Sequence, residues 1–529
     1  MMKRYLLAIS VIILALVVTA CGVNPVTKKR EFQFVSEGQE ISMGSKNYAP
    51  ARQSQGGDYV IDPELTAYVQ SVGNKLAAVS DRKLPYEFVV LNDSVPNAWA
   101  MPGGKIAFNR GLLYELNSEA ELAAVLGHEI THAAARHGAK GMERGIFLQG
   151  AIVAVGLSSR DSNYTNLIVG GSQLGAQLIS TKYGRDNESE ADLYGMEYMK
   201  RAGYDPQAAV TLQETFVHLS ADKKSSFIEG LFASHPPSQI RVDANKVTLA
   251  RLGAGGDWGR EIYAQKTAKL KSTQAAYKDY DDGVKALAAG DPAKATSLAK
   301  QAIAIEPREA RFQELLGDIV LSQKPKALVD REKKAKEALS YYDKAIKMQP
   351  DYFKPYIQSG IALVSLGRKA EAEPFLKKSN ELLPTAPAHL YLGEIAEERG
   401  DMTAALNNYE AAAGSNSDIG QTANAHYVHL DLPRNPAKYL QAAAQVDASG
   451  QLFAMVQNPT TVAVGRVQVR VVQYDPKTGR AVAQSQPMII AGSIAPNKRG
   501  QVAVRGVVLK TQQELRLYQV VVEGVELLQ

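Results

Sequence analysis

The sequence predicts an α+β protein in three successive parts: a mainly helical domain with a small sheet, an α-solenoid of repeats, and a small C-terminal β-sandwich. Three observations predict it. Helical periodicity interrupted by short β-branched runs fills residues 61–265. Small residues and prolines recur at a spacing of 34, as between Pro350 and Pro384, over residues 276–419. Alternating, valine-rich segments separated by turn residues occupy 447–529.

The 529 residues leave room for about three ordinary domains. A hydrophobic content of 45% and a charged content of 22% are globular values, sufficient for a large core. The net charge of +5 is small for this length and gives no reason to expect a nucleic-acid partner. A single cysteine, Cys21, excludes an intrachain disulfide and a cysteine zinc cluster.

The first element is a leader. Residues 1–20, "MMKRYLLAISVIILALVVTA", have a basic start, an apolar run too short to favour a permanent span, and small residues before Cys21. "VTAC" resembles a bacterial lipobox, in which the Cys21 thiol is diacylated and becomes the mature N-terminus. Acyl chains contribute roughly 0.8 kcal/mol per buried methylene, so several on one residue make a durable anchor. Gly22 in place of Asp suggests, by the same resemblance, sorting to the outer membrane and a periplasmic body. Residues 21–60 read as a polar, irregular anchor and linker, with a flexible stretch at "ARQSQGGD".

Residues 84–93, "LPYEFVVLND", read as a strand, and 97–113 as strand, Pro-Gly-Gly turn and second strand. Ser118 then caps a helix, with Glu121 three residues on as a capping box and Gly138 as its expected C-terminal stop. Two apolar, glycine-rich runs in 146–180 fall short of membrane-span length and read as buried or membrane-facing helices.

The capped helix carries His128-Glu129-x-x-His132. Histidines four apart lie on one helical face, so both imidazoles can reach one metal ion, and Glu129 projects toward that ion's water as a general base. Zinc needs a third protein ligand and an open position. At 3.6 residues per turn His137 sits about 140° round the helix from His132 and is set aside as structural. Glu188 and Asp192, four apart on a later helix, suit a carboxylate ligand and an acceptor that fixes a ligand histidine's tautomer. Glu190 points away from that pair and is passed over.

These motifs resemble the HtpX-like and CAAX-prenyl-protease-related family of gluzincin zinc metallopeptidases, most of all its periplasmic, BepA-like branch with tetratricopeptide repeats. The resemblance spans about 30–250 and rests on "NPVTKKREFQFVSEGQEISMG", "NAWAMPGGKIAFNRGLL", "LGHEITHAAARHG", "RDNESEADLYG" and "SHPPSQIRV", in that order. It implies one Zn²⁺ per chain on His128, His132 and Glu188, with Glu129 as base and Asp192 behind the ligands. It places His235 on a loop close to the metal, blocking the open position or assisting catalysis. Arg241 would stabilise an oxyanion, bind a substrate carboxylate, or form a structural salt bridge. Asn97 and Ala98 match the strand edge that pairs with substrate backbone in gluzincins, a mode with little side-chain selectivity. Many relatives have Ser-Arg before the ligand glutamate; here the pair is Gly184-Arg185, which leaves the ligand intact.

Past residue 275 the repeats align as four units of tetratricopeptide length, 276–309, 310–352, 353–385 and 386–419. Small residues recur where helices cross closely, and glycines mark the inter-helix turns. The second unit carries an insertion, "SQKPKALVDREKK", and the fourth has Ser417 in place of proline. The sandwich region shows no catalytic constellation.

The function expected is a lipid-anchored periplasmic zinc metalloendopeptidase acting on unfolded or misassembled outer-membrane proteins. Its implied partner is a barrel- or lipopolysaccharide-assembly complex. The alternative is a chaperone or scaffold lipoprotein acting through its repeats, with a latent protease site.

Overall fold

The structure, a computed structural model, describes residues 21–149, 183–221, 234–324 and 327–528. The leader (1–20) and most of the apolar region 146–180 lie outside them. Among the described residues no helix is long and apolar enough to cross a membrane. The chain forms two compact units, residues 1–384 and 385–529.

The first unit opens with an ordered segment where the sequence suggested a linker. Strands β1 (Cys21–Val23) and β2 (Arg30–Phe32) form an antiparallel hairpin, followed by helix α1 (Glu37–Ser54). Ser36 and Gln39 close a full capping box at its start. The helix escapes a hydrophobic-periodicity reading because its buried stripe is Glu40, Gly44, Asn47, Tyr48 and Ala51, mostly polar or small. Glu40 is affordable inside because Arg82 and Arg136 both bond its carboxylate.

Helix α2 (Pro63–Ala78) starts at an Asp62 cap with proline in its first position. A three-stranded sheet follows in the order β3 (Glu87–Leu91), β5 (Lys105–Asn109), β4 (Ala98–Met101). β3 runs parallel to the central β5 and β4 antiparallel, so β4 is an edge. Gly103 (φ 80°) and Gly104 (φ 86°) make the β4–β5 turn, and a Cβ on Gly103 would meet the Ile41 Cα at 2.6 Å. The second strand is shorter than expected: Arg110–Glu115 is a helix, α3, whose buried Arg110 stacks on the Tyr277 ring at 3.5 Å.

Helices α4 (Glu119–Ala134), α5 (His137–Gln149), α6 (Arg185–Arg201), α7 (Gln207–Ala221) and α8 (Gln239–Leu252) complete the motif-bearing part. Its core joins Leu65, Val72, Phe88, Val90, Phe108, Leu122, Leu126 and Met199. Two short helices, α9 (Arg260–Lys266) and α10 (Ala268–Ser272), lead into the repeats.

The repeats are antiparallel helix pairs. In the first unit these are α11 (Gln274–Ala288) with α12 (Pro292–Ile305), α13 (Ala310–Ser322) with α14 (Leu328–Met348), and α15 (Phe353–Ser365) with α16 (Lys369–Leu382). The recurring glycines are of two kinds. Gly290 and Gly367 turn the chain at positive φ, while Gly317 receives the Tyr342 ring where a Cβ would meet it at 2.4 Å. The hydrophobic core runs unbroken from Tyr59 through Phe88 to Tyr277, Phe312 and Ile319.

The second unit begins with the fourth pair, α17 (Ala386–Glu398) and α18 (Met402–Ala413), then α19 (Asp418–Asp431) and α20 (Pro436–Tyr439). Two antiparallel sheets follow. One has the order β12 (Arg499–Val508), β7 (Gln451–Gln457), β6 (Gln441–Val446). In the other, β8 (Val464–Tyr474) pairs with β9 (Ala481–Gln484), β10 (Met488–Ile489), β11 (Ser493–Ile494) and β13 (Tyr518–Leu527). Alternate residues of β7 and β8 point into a core of Leu452, Ala454, Val456, Val467, Val469 and Val471. The mainly helical α+β class, the helical repeats and the C-terminal strands read from the sequence all stand.

Candidate metal centre

Helix α4 is buried along its whole length from Ala120 to Ala134. Ser118 caps it as expected, accepting from the Glu121 amide, but Glu121 reaches back one residue further, to the Asn117 amide at 2.5 Å. Where α4 crosses α6, Gly127 faces Gly195: a Cβ on Gly127 would lie 3.0 Å from the Gly195 carbonyl oxygen. A Cβ on Gly195 would lie 3.0 Å from the His128 amide nitrogen. This backbone-to-backbone approach sets the two histidines of α4 beside the two carboxylates of α6.

His128, His132, Glu188 and His235 each offer a donor atom, and these atoms all lie within 4.8 Å of one another. His132 Nε2 is 3.0 Å from His128 Nε2 and 3.3 Å from a Glu188 oxygen; His235 Nδ1 is 3.0 Å from Glu188 and 3.3 Å from His128 Nε2. Zinc bonds of about 2.0–2.1 Å in tetrahedral array put neighbouring ligand atoms about 3.3 Å apart, so these separations fit such an ion. Imidazole nitrogens with one carboxylate are also the donor types zinc takes.

Glu129, 1% exposed, turns into the same space; one oxygen lies 3.6 Å from His235 Nε2. Its other oxygen, Oε2, is buried with no hydrogen-bond partner among the described residues. Burial pushes the Glu129 carboxyl above the usual carboxylate range, against the pull of His235 and His128. Burial also pushes on Glu188, but His128, His132 and His235 outweigh it and hold that carboxylate ionised.

Behind the donors, His128 Nδ1 meets Asp192 Oδ1 at 3.0 Å. Arg241 grips Asp192 with two nitrogens at 2.7 Å each, and its third reaches Glu188 at 2.9 Å and the Pro236 carbonyl at 3.2 Å. The guanidinium is therefore fully engaged with protein groups, in the arrangement of a structural clamp. Asn97 and Ala98 sit at the start of the edge strand β4, which packs on α4. Ala98 is fully buried, and its amide N–H donates to Asn97 Oδ1 at 3.0 Å.

One sequence argument failed on a premise. α4 ends at Ala134, not at Gly138; Arg136 takes a left-handed φ of 63° and α5 begins at His137. The break swings His137 back so that its Nδ1 lies 2.8 Å from His132 Nδ1, while its Nε2 faces Glu190 at 3.3 Å. His137 is not among the four converging donors, but it contacts His132 directly, and the passed-over Glu190 meets His137. Tyr183 was also missed; its ring stacks on His132 at 3.9 Å. A residue whose role depends on a helix break or on a ring stack leaves no periodic signal, and His137 was visible only as a third histidine close by.

The profile of peptidase family M48 matches residues 63–247, and that of the tetratricopeptide repeat matches 280–352. The beta-barrel assembly-enhancing protease of Escherichia coli (strain K12) is 27% identical over 333 residues, covering 57% of this chain and 67% of that protein. Mitochondrial metalloendopeptidase OMA1 of Schizosaccharomyces pombe is 32% identical over 225 residues, 41% of this chain and 63% of its own length. Metalloprotease YcaL of Escherichia coli (strain K12) is 30% identical over 203 residues, covering 38% of this chain and 72% of that protein. The matched region takes in α4, α6 and His235, which is where the donors converge, and the chain belongs to peptidase family M48 as a metalloprotease that also carries tetratricopeptide repeats.

Proposed function

We propose that this chain is a lipid-anchored, periplasmic zinc metalloendopeptidase that cuts unfolded or misassembled envelope proteins. The observation that carries the reading is the orphaned, buried Glu129 Oε2 beside a converging set of histidine and carboxylate donors. His128, His132 and Glu188 would hold the ion, with His235 beside the fourth position, which water and substrate must be able to enter. Zinc, when bound, supplies Lewis acidity toward the scissile carbonyl and an acidified water. Glu129 takes the attacking water's proton and delivers it to the leaving nitrogen as the C–N bond breaks; its burial-raised basicity suits both halves of that transfer. Asp192 accepts from His128 Nδ1 and so presents Nε2 as the ligand atom, and Arg241 holds Asp192 and Glu188 in place.

Ala98, the first residue of the edge strand β4, and Asn97 just before it are where an extended substrate would add through its backbone. Such pairing selects for unfolded chain rather than for a sequence. Cys21 as a lipidated first residue would fix the protein at the outer membrane, and the repeats would hold substrate or an outer-membrane assembly complex. The matched beta-barrel assembly-enhancing protease supports this substrate class.

The seat of His235 against Glu188 and Glu129 supports a second reading, in which the site is latent and the protein acts as a chaperone or scaffold. Glu129→Gln separates the two. Cleavage of an unfolded protein should fall by about 10²–10⁴-fold while zinc content stays at one per chain. Wild-type cutting by that variant would remove Glu129 from the mechanism. Full rescue of a deletion strain by it would establish the scaffold reading.

A further inference from the structure

Two ligand histidines face the donor cluster through Nε2, and each has an outer nitrogen, Nδ1, to satisfy. His128 directs Nδ1 at the Asp192 carboxylate, an acceptor. His132 directs Nδ1 at another imidazole, His137 Nδ1, at 2.8 Å, with both rings buried. Two nitrogens at this distance need one proton between them. A metal on His132 Nε2 leaves its proton on Nδ1, so His137 Nδ1 must accept. The proton of His137 is then on Nε2, which faces Glu190 Oε2 at 3.3 Å. Lys29 reaches the other Glu190 oxygen at 3.3 Å.

The direction of every hydrogen bond in this chain follows from the ion's position. We propose that His137 is a positioning residue of the metal centre, accepting the Nδ1 proton of His132 and passing its own to Glu190, so that His132 is held as an Nε2 ligand. This rests on His132 being a ligand, as in the function proposed above.

The fold is arranged to keep His137 there. Continuation of α4 would carry it to the far face, and the break at Arg136 prevents that. The N-terminal segment braces the break. The buried Asn24 amide donates to the Ala135 carbonyl at 3.0 Å, and Arg136 is gripped by Glu40, Glu143 and the Val35 carbonyl. Glu143 in turn accepts from the Phe34 and Val35 amides at 2.9 Å each. A segment that reads in sequence as a tether is thus part of the support of the metal site.

The test is zinc retention by the full chain, measured by competition with a chromogenic chelator, alongside thermal unfolding of the metal-free form. His137→Phe should weaken zinc binding by about 10–100-fold, the usual range for losing an outer partner of a ligand histidine. His137→Gln, whose carbonyl accepts from His132 while its amide donates to Glu190, should stay within about threefold of wild type. Wild-type retention by His137→Phe overturns the proposal. So does equal loss in the Phe and Gln variants, which would assign the effect to packing. Should His137→Phe fail to fold, Glu190→Ala replaces it: unchanged zinc retention overturns the proposal, and loss that Glu190→Gln restores supports it. His132→Ala is the control: zinc binding undiminished in that variant would mean the ligand assignment itself is wrong.

Discussion

Arg241 shows at the residue scale how completely protein groups can engage a charged side chain beside the donor cluster. All three guanidinium nitrogens bond Asp192, Glu188 or the Pro236 carbonyl, in a pocket where the arginine is 7% exposed. Removing one partner of a buried charge cluster costs about 3–5 kcal/mol, because the carboxylates left behind are desolvated and unpaired. Arg241→Met should therefore lower the thermal stability of the metal-free chain by about that amount. A variant with wild-type stability but slow turnover would instead return Arg241 to the oxyanion role expected from the resemblance. The sequence pattern was enough to bring His128, Glu129, His132, Glu188 and Asp192 to one place, since each sits at a helical spacing of four from a partner or beside one. It was not enough for His137, Glu190 or Tyr183, whose contacts depend on where α4 stops.

Between elements, the decisive contact is the α4–α6 crossing. Neither glycine there has a turn to make; both are small so that two backbones can approach. Gly195→Ala would press a methyl to 3.0 Å from the His128 amide, forcing α6 away from α4. Overpacking of this kind costs about 1–3 kcal/mol, and because the donors proposed as ligands ride on both helices, zinc affinity should drop with stability. Calorimetry and chelator competition on the same variant check this; lost stability with unchanged affinity would show that the crossing supports the fold alone. The helix α1 teaches the complementary lesson. Its buried stripe of Glu40, Asn47 and small residues carries no hydrophobic signal, so only the partners Arg82 and Arg136, distant in sequence, make its burial favourable.

Across the first unit, the repeats and the metalloprotease part share one core rather than a linker. Glu309, at the start of α13 and 1% exposed, accepts from the Asn92 amide at 3.0 Å and the Tyr277 hydroxyl at 2.7 Å. Asn92 follows β3 directly, and its side-chain oxygen takes the Arg110 guanidinium at 2.9 Å. Glu309→Ala strands these buried donors, at about 1–3 kcal/mol, and should split one cooperative unfolding transition of residues 21–384 into two. A single transition, merely shifted, would show that the apolar contacts alone couple the parts. The class of fold, the repeat period, the alternation of the C-terminal strands and the pairing of histidines on α4 and carboxylates on α6 were legible in the sequence. Those are properties of local spacing, where the period of a helix or strand is written into neighbouring residues. The order of the N-terminal segment, the break of α4 at Arg136 that brings His137 onto His132, and the contacts of Arg241 with Asp192 and Glu188 came only with the tertiary structure. Each depends on charges and close contacts between residues far apart in the chain, whose burial is favourable only once the partner is in place.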